Sequence, residues 1–224
     1  SYANFKSENK KFYYALGALK NVGYESILNI IEERSKNGKF LSFQNFLERV
    51  NPKDINKLQL EGLVKSGAFD SLNKNRQSIY NSIPNLILKS KSIFENKLIN
   101  QKNLFELSED QKEENFLEKI EDWEFEEKLS KEFETVGFFI SDHPLNQFKN
   151  LFNEYKIINF YEFNSNDDLL EGNIAGTVLK VQEKKTQKGN SYAILKLSDL
   201  NGVFETFIFS EILETNRNIL IEGN

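Results

Sequence analysis

Three apolar rhythms succeed one another along the chain. Residues 1–14 alternate loosely, with Tyr2, Phe5, Phe12, Tyr13 and Tyr14 flanking the polar stretch KSENKK, which predicts a hairpin or the edge of a preceding sheet. From Ala15 the period lengthens. Leu16, Leu19 and Val22, then Ile27, Ile30 and Ile31, predict two short amphipathic helices interrupted at KNVG, Lys20 to Gly23. Ser42 can cap a further helix bearing Phe43, Phe46, Leu47 and Val50, which must stop before Asn51-Pro52. A fourth runs through Ile55, Leu58, Leu63 and Val64 and breaks at KSGAFD, Lys65 to Asp70; another begins near Asn75. A helix, a lysine, a tight small-residue turn and a second helix thus occur twice, a weak internal repeat. Over residues 113–136 an acidic helix is expected, with Phe116, Ile120, Trp123, Leu129, Phe133 and Val136 on one stripe and its glutamates on a solvated face. After Gly172 the period becomes two. NIAGTVLKVQEKKT, KGNSYAILKLSDL and NGVFETFIF read as three strands with turns at Lys188-Gly189-Asn190 and Asn201-Gly202, then a short helix SEILET and a final strand NILIEGN.

Composition adds limits. The 224 residues, 39% hydrophobic and 28% charged, have room for one to three compact units. There is no run of eighteen apolar residues and no basic, apolar leader, so we expect a cytoplasmic protein with no membrane partner. With no Cys and a single His, disulfides, thiolate metal sites and cysteine nucleophiles are excluded by inventory. The chain starts with Ser and contains no Met, from which we expect a piece of something longer. A net charge of −5 conceals a partition: residues 1–92 carry 15 Lys+Arg and 8 Asp+Glu, residues 93–171 carry 8 and 20, and residues 172–224 carry 6 and 6. The basic head suits a polyanion, although a solvated lysine-rich surface would have the same count.

The arrangement of that charge sharpens the choice. A tight turn between antiparallel helices aims the first amides of the second helix outward, with the positive end of the helix dipole behind them. Around Val22, Gly23 and Tyr24, and again around Ser66, Gly67 and Ala68, such amides could each hold one phosphate of a duplex, with Lys20 and Lys65 beside them. Glycine allows close approach and positive φ, which Asn21 also tolerates. Each turn alone reads equally as an ordinary helix connection; two in tandem, in the one basic segment, favour the anion reading. The tail's order of three strands, short helix and strand is that of a five-stranded Greek-key barrel, the OB-fold, cut before its last strand. Lys196 and Glu205 mark the solvent parity there, exposing Tyr192, Ile194 and Phe207 for base stacking, while Lys184, Lys185 and Lys188 can track a single-stranded backbone. Phe204 and Ile208 are also apolar, so a core-covering role for the aromatics stays open.

Four longer strings carry a resemblance. YALGALKNVG, LVKSGAFDSLNKNR, EFETVGFFISDHPL and IAGTVLKVQEKKTQKGNSYAILKLSDLNG resemble, in this order and across essentially the whole chain, the C-terminal half of bacterial DNA polymerase III α subunits. The resemblance implies an α+β multidomain chain. Residues 1–14 would end a preceding fingers region, and 15–92 would form a tandem helix-hairpin-helix domain on duplex DNA, with Arg76 among its contacts. Residues 93–171 would be an acidic helical connector, and 172–224 a partial OB domain near the single-stranded template. QKNLF matches the family's clamp-binding pattern, so that Gln101, Leu104 and Phe105 would engage the sliding clamp. Other replisome subunits are implied partners. The parent enzyme would transfer nucleotides with magnesium, but the family's catalytic carboxylates lie upstream, so no catalytic residue, metal or cofactor is expected in this chain. Two departures stand out: Asn21 replaces the usual glycine, and Asp142 replaces the glycine of SGHPL beside a structural His143. The error-prone paralogue of the polymerase and a free-standing nucleic-acid-binding scaffold are the alternatives.

Overall fold

The chain opens as the expected hairpin, β1 (Lys6–Glu8) against β2 (Lys11–Tyr13). It is no detached remnant. The carbonyls of Tyr2 and Ala3 accept the amides of Leu16 and Gly17 at 2.8 and 3.1 Å, and Ala3 is buried in the helical core that follows. The computed structural model describes residues 2–8, 10–98 and 116–224, which divide into two units, 1–140 and 141–224.

In the first unit a 3-10 turn, Leu16–Ala18, leads to α1 (Tyr24–Asn37), which buries Ile27 and Ile30 and stops at Gly38 with φ +81°. α2 (Phe43–Arg49) starts where Ser42 accepts the Asn45 amide at 3.0 Å, as its sequence predicts. A 3-10 turn, Pro52–Asp54, follows, then α3 (Lys57–Lys65), capped by Asn56, and α4 (Arg76–Leu98). The first of the two expected helical pairs therefore has only a single 3-10 turn as its leading half. Gly17 is packed so tightly there that a Cβ would lie 2.5 Å from the Tyr24 ring. Phe43, Phe46 and Phe69 meet edge-on or tilted at 5.0–5.2 Å and, with Ile27, Leu60, Val64, Ile79, Ile83 and Leu86, form the core. Each such side chain contributes roughly 1.5–3 kcal/mol of burial.

The acidic helix is shorter than its apolar stripe suggests. Among the described residues of that stretch α5 (Phe125–Val136) is helical and residues 116–124 run without helix. Their backbone is drawn out by polar side chains of the first unit: Ser78 donates to the Glu118 carbonyl at 2.5 Å, Ser82 accepts the Glu118 amide at 2.8 Å, and Asn75 donates to the Ile120 carbonyl at 2.6 Å. Phe116, Leu117 and Trp123 then pack on the same core. Acidic and basic segments are thus interleaved, and residues 1–140 as a whole carry 21 Lys+Arg and 22 Asp+Glu.

The second unit begins with a 3-10 turn, Pro144–Phe148, then α6 (Lys149–Glu154) and α7 (Phe160–Ser165). His143 is structural here: its Nδ1 accepts the Leu145 amide at 3.1 Å, its Nε2 lies 3.0 Å from Ser198 Oγ, and burial lowers its pKa against the pull of Asp199 and Asp142. β3 (Thr177–Lys185), β4 (Ser191–Ser198) and β5 (Val203–Phe209) form an antiparallel meander with a bulge between Val178 and Lys180, and α8 (Ser210–Asn216) closes one face by setting Leu213 on Ala193 and Leu195. The three-stranded sheet is not closed into a barrel. NILIEGN, expected as a strand, turns instead after α8; Leu220 packs on the core of Ala193, Leu195 and Leu213, and Val178 exchanges hydrogen bonds with Gly223 and Asn224.

Candidate nucleic-acid interface

The two hairpins differ. In the first, Asn21 adopts φ +65°, the left-handed turn for which it stands in place of glycine, and both it and Lys20 are exposed. Lys20 makes no ion pair among the described residues. The amides expected to face a phosphate are largely used inside the protein. Lys20 donates to the Thr135 carbonyl at 2.9 Å, Val22 to Leu19 at 3.2 Å, and Gly23 to Gln59 Oε1 at 2.8 Å. The first helical bond of α1 is Ile27 to Gly23, and no side chain among the described residues caps the helix, so the outward amides lie two residues later than expected, at Tyr24, Glu25 and Ser26.

The second hairpin is closed by its own chemistry. Ser66, Gly67 and Ala68 donate to Gly62, Val64 and Leu63 at 3.1, 3.0 and 2.9 Å, a glycine C-cap with Gly67 at φ +73°. All three predicted anion-binding amides are therefore occupied. Arg76, expected at DNA, is 5% exposed; it grips Asp70 with two bonds of 2.9 and 2.7 Å, reaches Glu132 at 3.3 Å, and fills the space beside Gly67, where a Cβ would lie 2.2 Å from its Nη2. Burial opposes its charge, but Asp70 and Glu132 outweigh that and raise its pKa. Lys65 is held at 3.0 Å by both oxygens of Glu134. At the start of α4, Asn75 caps the Ser78 amide at 2.8 Å and Asp122 accepts the Gln77 amide at 3.1 Å, so a carboxylate of the protein sits where a phosphate would. Burial favours the neutral acid, yet Lys128 and the amides of Gln77 and Trp123 prevail and hold Asp122 below the usual carboxyl range.

The carboxylates of α5 are thus not merely a solvated face. Glu132 and Glu134 lock the second hairpin, while the Thr135 carbonyl supports the first. Sequence reasoning missed these partners and Gln59. A glutamine on the apolar side of α3 was the one signal available.

In the second unit the strand register settles the parity. Tyr192, Ile194 and Lys196 on β4 share a face with Glu205, Phe207 and Phe209 on β5 and with Lys180, Gln182 and Lys184 on β3. Phe207 is 57% exposed and stacks near Tyr192 at 6.4 Å, whereas Phe204 turns inward onto Phe160 at 4.3 Å and Ile208 packs on the core. Lys185 has the opposite parity and Lys188 lies in the following turn. Gln101, Leu104 and Phe105 lie outside the described residues. No helix among the described residues is long and apolar enough to cross a membrane, and none of their His, Cys, Asp or Glu side chains group in threes that could hold a metal ion.

The first unit carries helix-hairpin-helix elements, and residues 1–79 match the family of the helix-hairpin-helix motif. The chain is 32% identical over 230 residues to DNA polymerase III subunit alpha of Borreliella burgdorferi, covering 100% of this chain and 20% of that one. The corresponding figures are 32% over 223 residues for Caulobacter vibrioides, with 99% and 19% covered, and 36% over 201 residues for Rickettsia bellii, with 88% and 17%. The chain belongs to the family of DNA polymerase III α subunits and spans about a fifth of the length of these relatives.

Proposed function

We propose that the chain is a DNA-gripping and clamp-tethering segment of a replicative DNA polymerase, without catalytic residues of its own. The observation that carries the reading is the first hairpin, where exposed Lys20, Asn21 and the uncapped start of α1 present positive charge and free amides together. Duplex contact is assigned to that hairpin alone; the face that half-buried Tyr192 shares with exposed Phe207, Lys184 and Lys196 would take single-stranded bases and their backbone. Gln101, Leu104 and Phe105 would dock on a sliding clamp, Leu104 and Phe105 as anchors in an apolar pocket. Two weak contacts joined on one chain give processivity, while magnesium-assisted nucleotidyl transfer would belong to the parent enzyme.

Fluorescence anisotropy of the full chain with duplexes of different sequence tests the duplex contact. Binding should be sequence-independent and fall steeply with salt, since amides and lysines meet phosphates. Salt-insensitive binding, or none at low salt, defeats it. Residues 1–92 alone are unsuitable for the test because α5 braces both hairpins. Calorimetry of a peptide spanning residues 96–108 against a bacterial sliding clamp tests the tether. Micromolar affinity is expected, removed by Leu104→Ala with Phe105→Ala.

A further inference from the structure

We propose that Gln59 is the positioning residue of the first hairpin, an inference that rests on the duplex reading above. Gln59 sits on α3, a helix of the other hairpin, and is 1% exposed. Its Oε1 accepts the Gly23 amide at 2.8 Å. Gly23 is the residue from which α1 starts, so this bond sets where the helix begins and which way the amides of Tyr24, Glu25 and Ser26 point. Two other contacts pin the turn. Lys20 donates to the Thr135 carbonyl, and Val22 presses on Gly62, where a Cβ would meet its Cγ2 at 2.6 Å. Those are a backbone bond and a packing contact; the bond from Gln59 is the side-chain one, made beside the helix start.

The rest of the glutamine argues that its oxygen is what the position requires. Its Nε2 is buried with no hydrogen-bond partner among the described residues, a cost that an apolar side chain of equal length would avoid. Gln59 is too enclosed to touch a phosphate itself. Its effect on DNA passes through the Gly23 amide.

Gln59→Met keeps length and burial but removes the acceptor. In the full chain it should weaken binding to a short duplex about two- to tenfold, the worth of one hydrogen bond, with the thermal midpoint little changed. The salt slope should also stay the same, because no cationic contact is lost, and hydrogen exchange at the Gly23 amide should accelerate. If Gln59→Met loses its thermal transition, Gln59→Asn, which withdraws the oxygen by one methylene, gives the same reading. Unchanged affinity in a chain whose binding depends on Lys20, or loss of the transition in both variants, overturns the inference and leaves Gln59 a core residue. A wild-type chain that binds no duplex, or binds regardless of Lys20→Glu, overturns the duplex reading itself, and the inference with it.

Discussion

Among the described residues the first hairpin leaves its lysine without an ion pair and its helix start without a side-chain cap; the second ties its lysine to Glu134, its arginine to Asp70 and Glu132, and its helix start to Asn75 and Asp122. Both have a short sequence of Lys, a turn residue in the left-handed region and a following helix, yet one presents its charge outward and the other spends it inside. A motif fixes backbone geometry. What that geometry binds depends on which neighbour reaches it first, and here α5 and residues 116–124 before it reach the second hairpin. The second hairpin's substitutions should therefore register in stability and the first hairpin's in binding.

The largest effect is expected from Glu132→Ala, which leaves Arg76 with Asp70 and the Lys65 carbonyl and removes the acceptor of the Ile140 amide. Urea denaturation should show a loss of about 3 kcal/mol, typical of breaking a buried pair. A loss no larger than that of an exposed pair would place the second hairpin's charge in solvent after all. Lys20→Glu should lower duplex affinity about tenfold and flatten the salt slope by about 1, with melting unchanged. Lys65→Glu should do the reverse, costing about 1 kcal/mol of stability and altering duplex affinity little. Equal losses of affinity in the two variants would erase the distinction between the hairpins.

Asp122→Asn should cost about 1 kcal/mol at neutral pH, the worth of a carboxylate at a helix start. Because the folded state holds the Asp122 pKa down, its contribution is complete above the unfolded value and is lost as pH falls through the folded one, in the region below about pH 4. The variant's stability should accordingly depend less on pH there; acid-limb denaturation curves that superimpose on the wild type would remove Asp122 from the helix start. The smallest effect is at the turn: Asn21→Gly should change stability by no more than about 0.5 kcal/mol, whereas Asn21→Val, strained at positive φ, should cost about 1–2 kcal/mol. If valine is tolerated as well as glycine, the left-handed turn is not what shapes the first hairpin.

Much of the fold was legible because local signals sufficed. The Ser42 cap, the stop at Pro52, the glycine turn at Gly67 and the helix start at Arg76 are written in short windows, and so is the register of β4 and β5. Residues 116–124 were not, because Phe116, Ile120 and Trp123 have helical spacing while the hydroxyls of Ser78 and Ser82 and the amide of Asn75, distant in sequence, take the backbone instead. The partners of Arg76 are hidden from the sequence for a related reason. A count along the chain sees a basic head and an acidic middle, and it cannot see that Glu132, fifty-six positions away, is the arginine's partner.

The packing of Phe116, Leu117 and Trp123 on the first unit's core has a consequence for the protein's covalent integrity. Near the end of α4, Lys97 donates to the Glu48 carbonyl at 2.6 Å, and Phe116, Leu117, Trp123 and Val136 pack into the same core. A peptide bond cut between residues 98 and 116 would therefore yield two polypeptides sharing one hydrophobic interior and one set of buried ion pairs. They should migrate together in a native gel and separate only in denaturant, so that a nick beside the QKNLF stretch would be silent until the protein is unfolded.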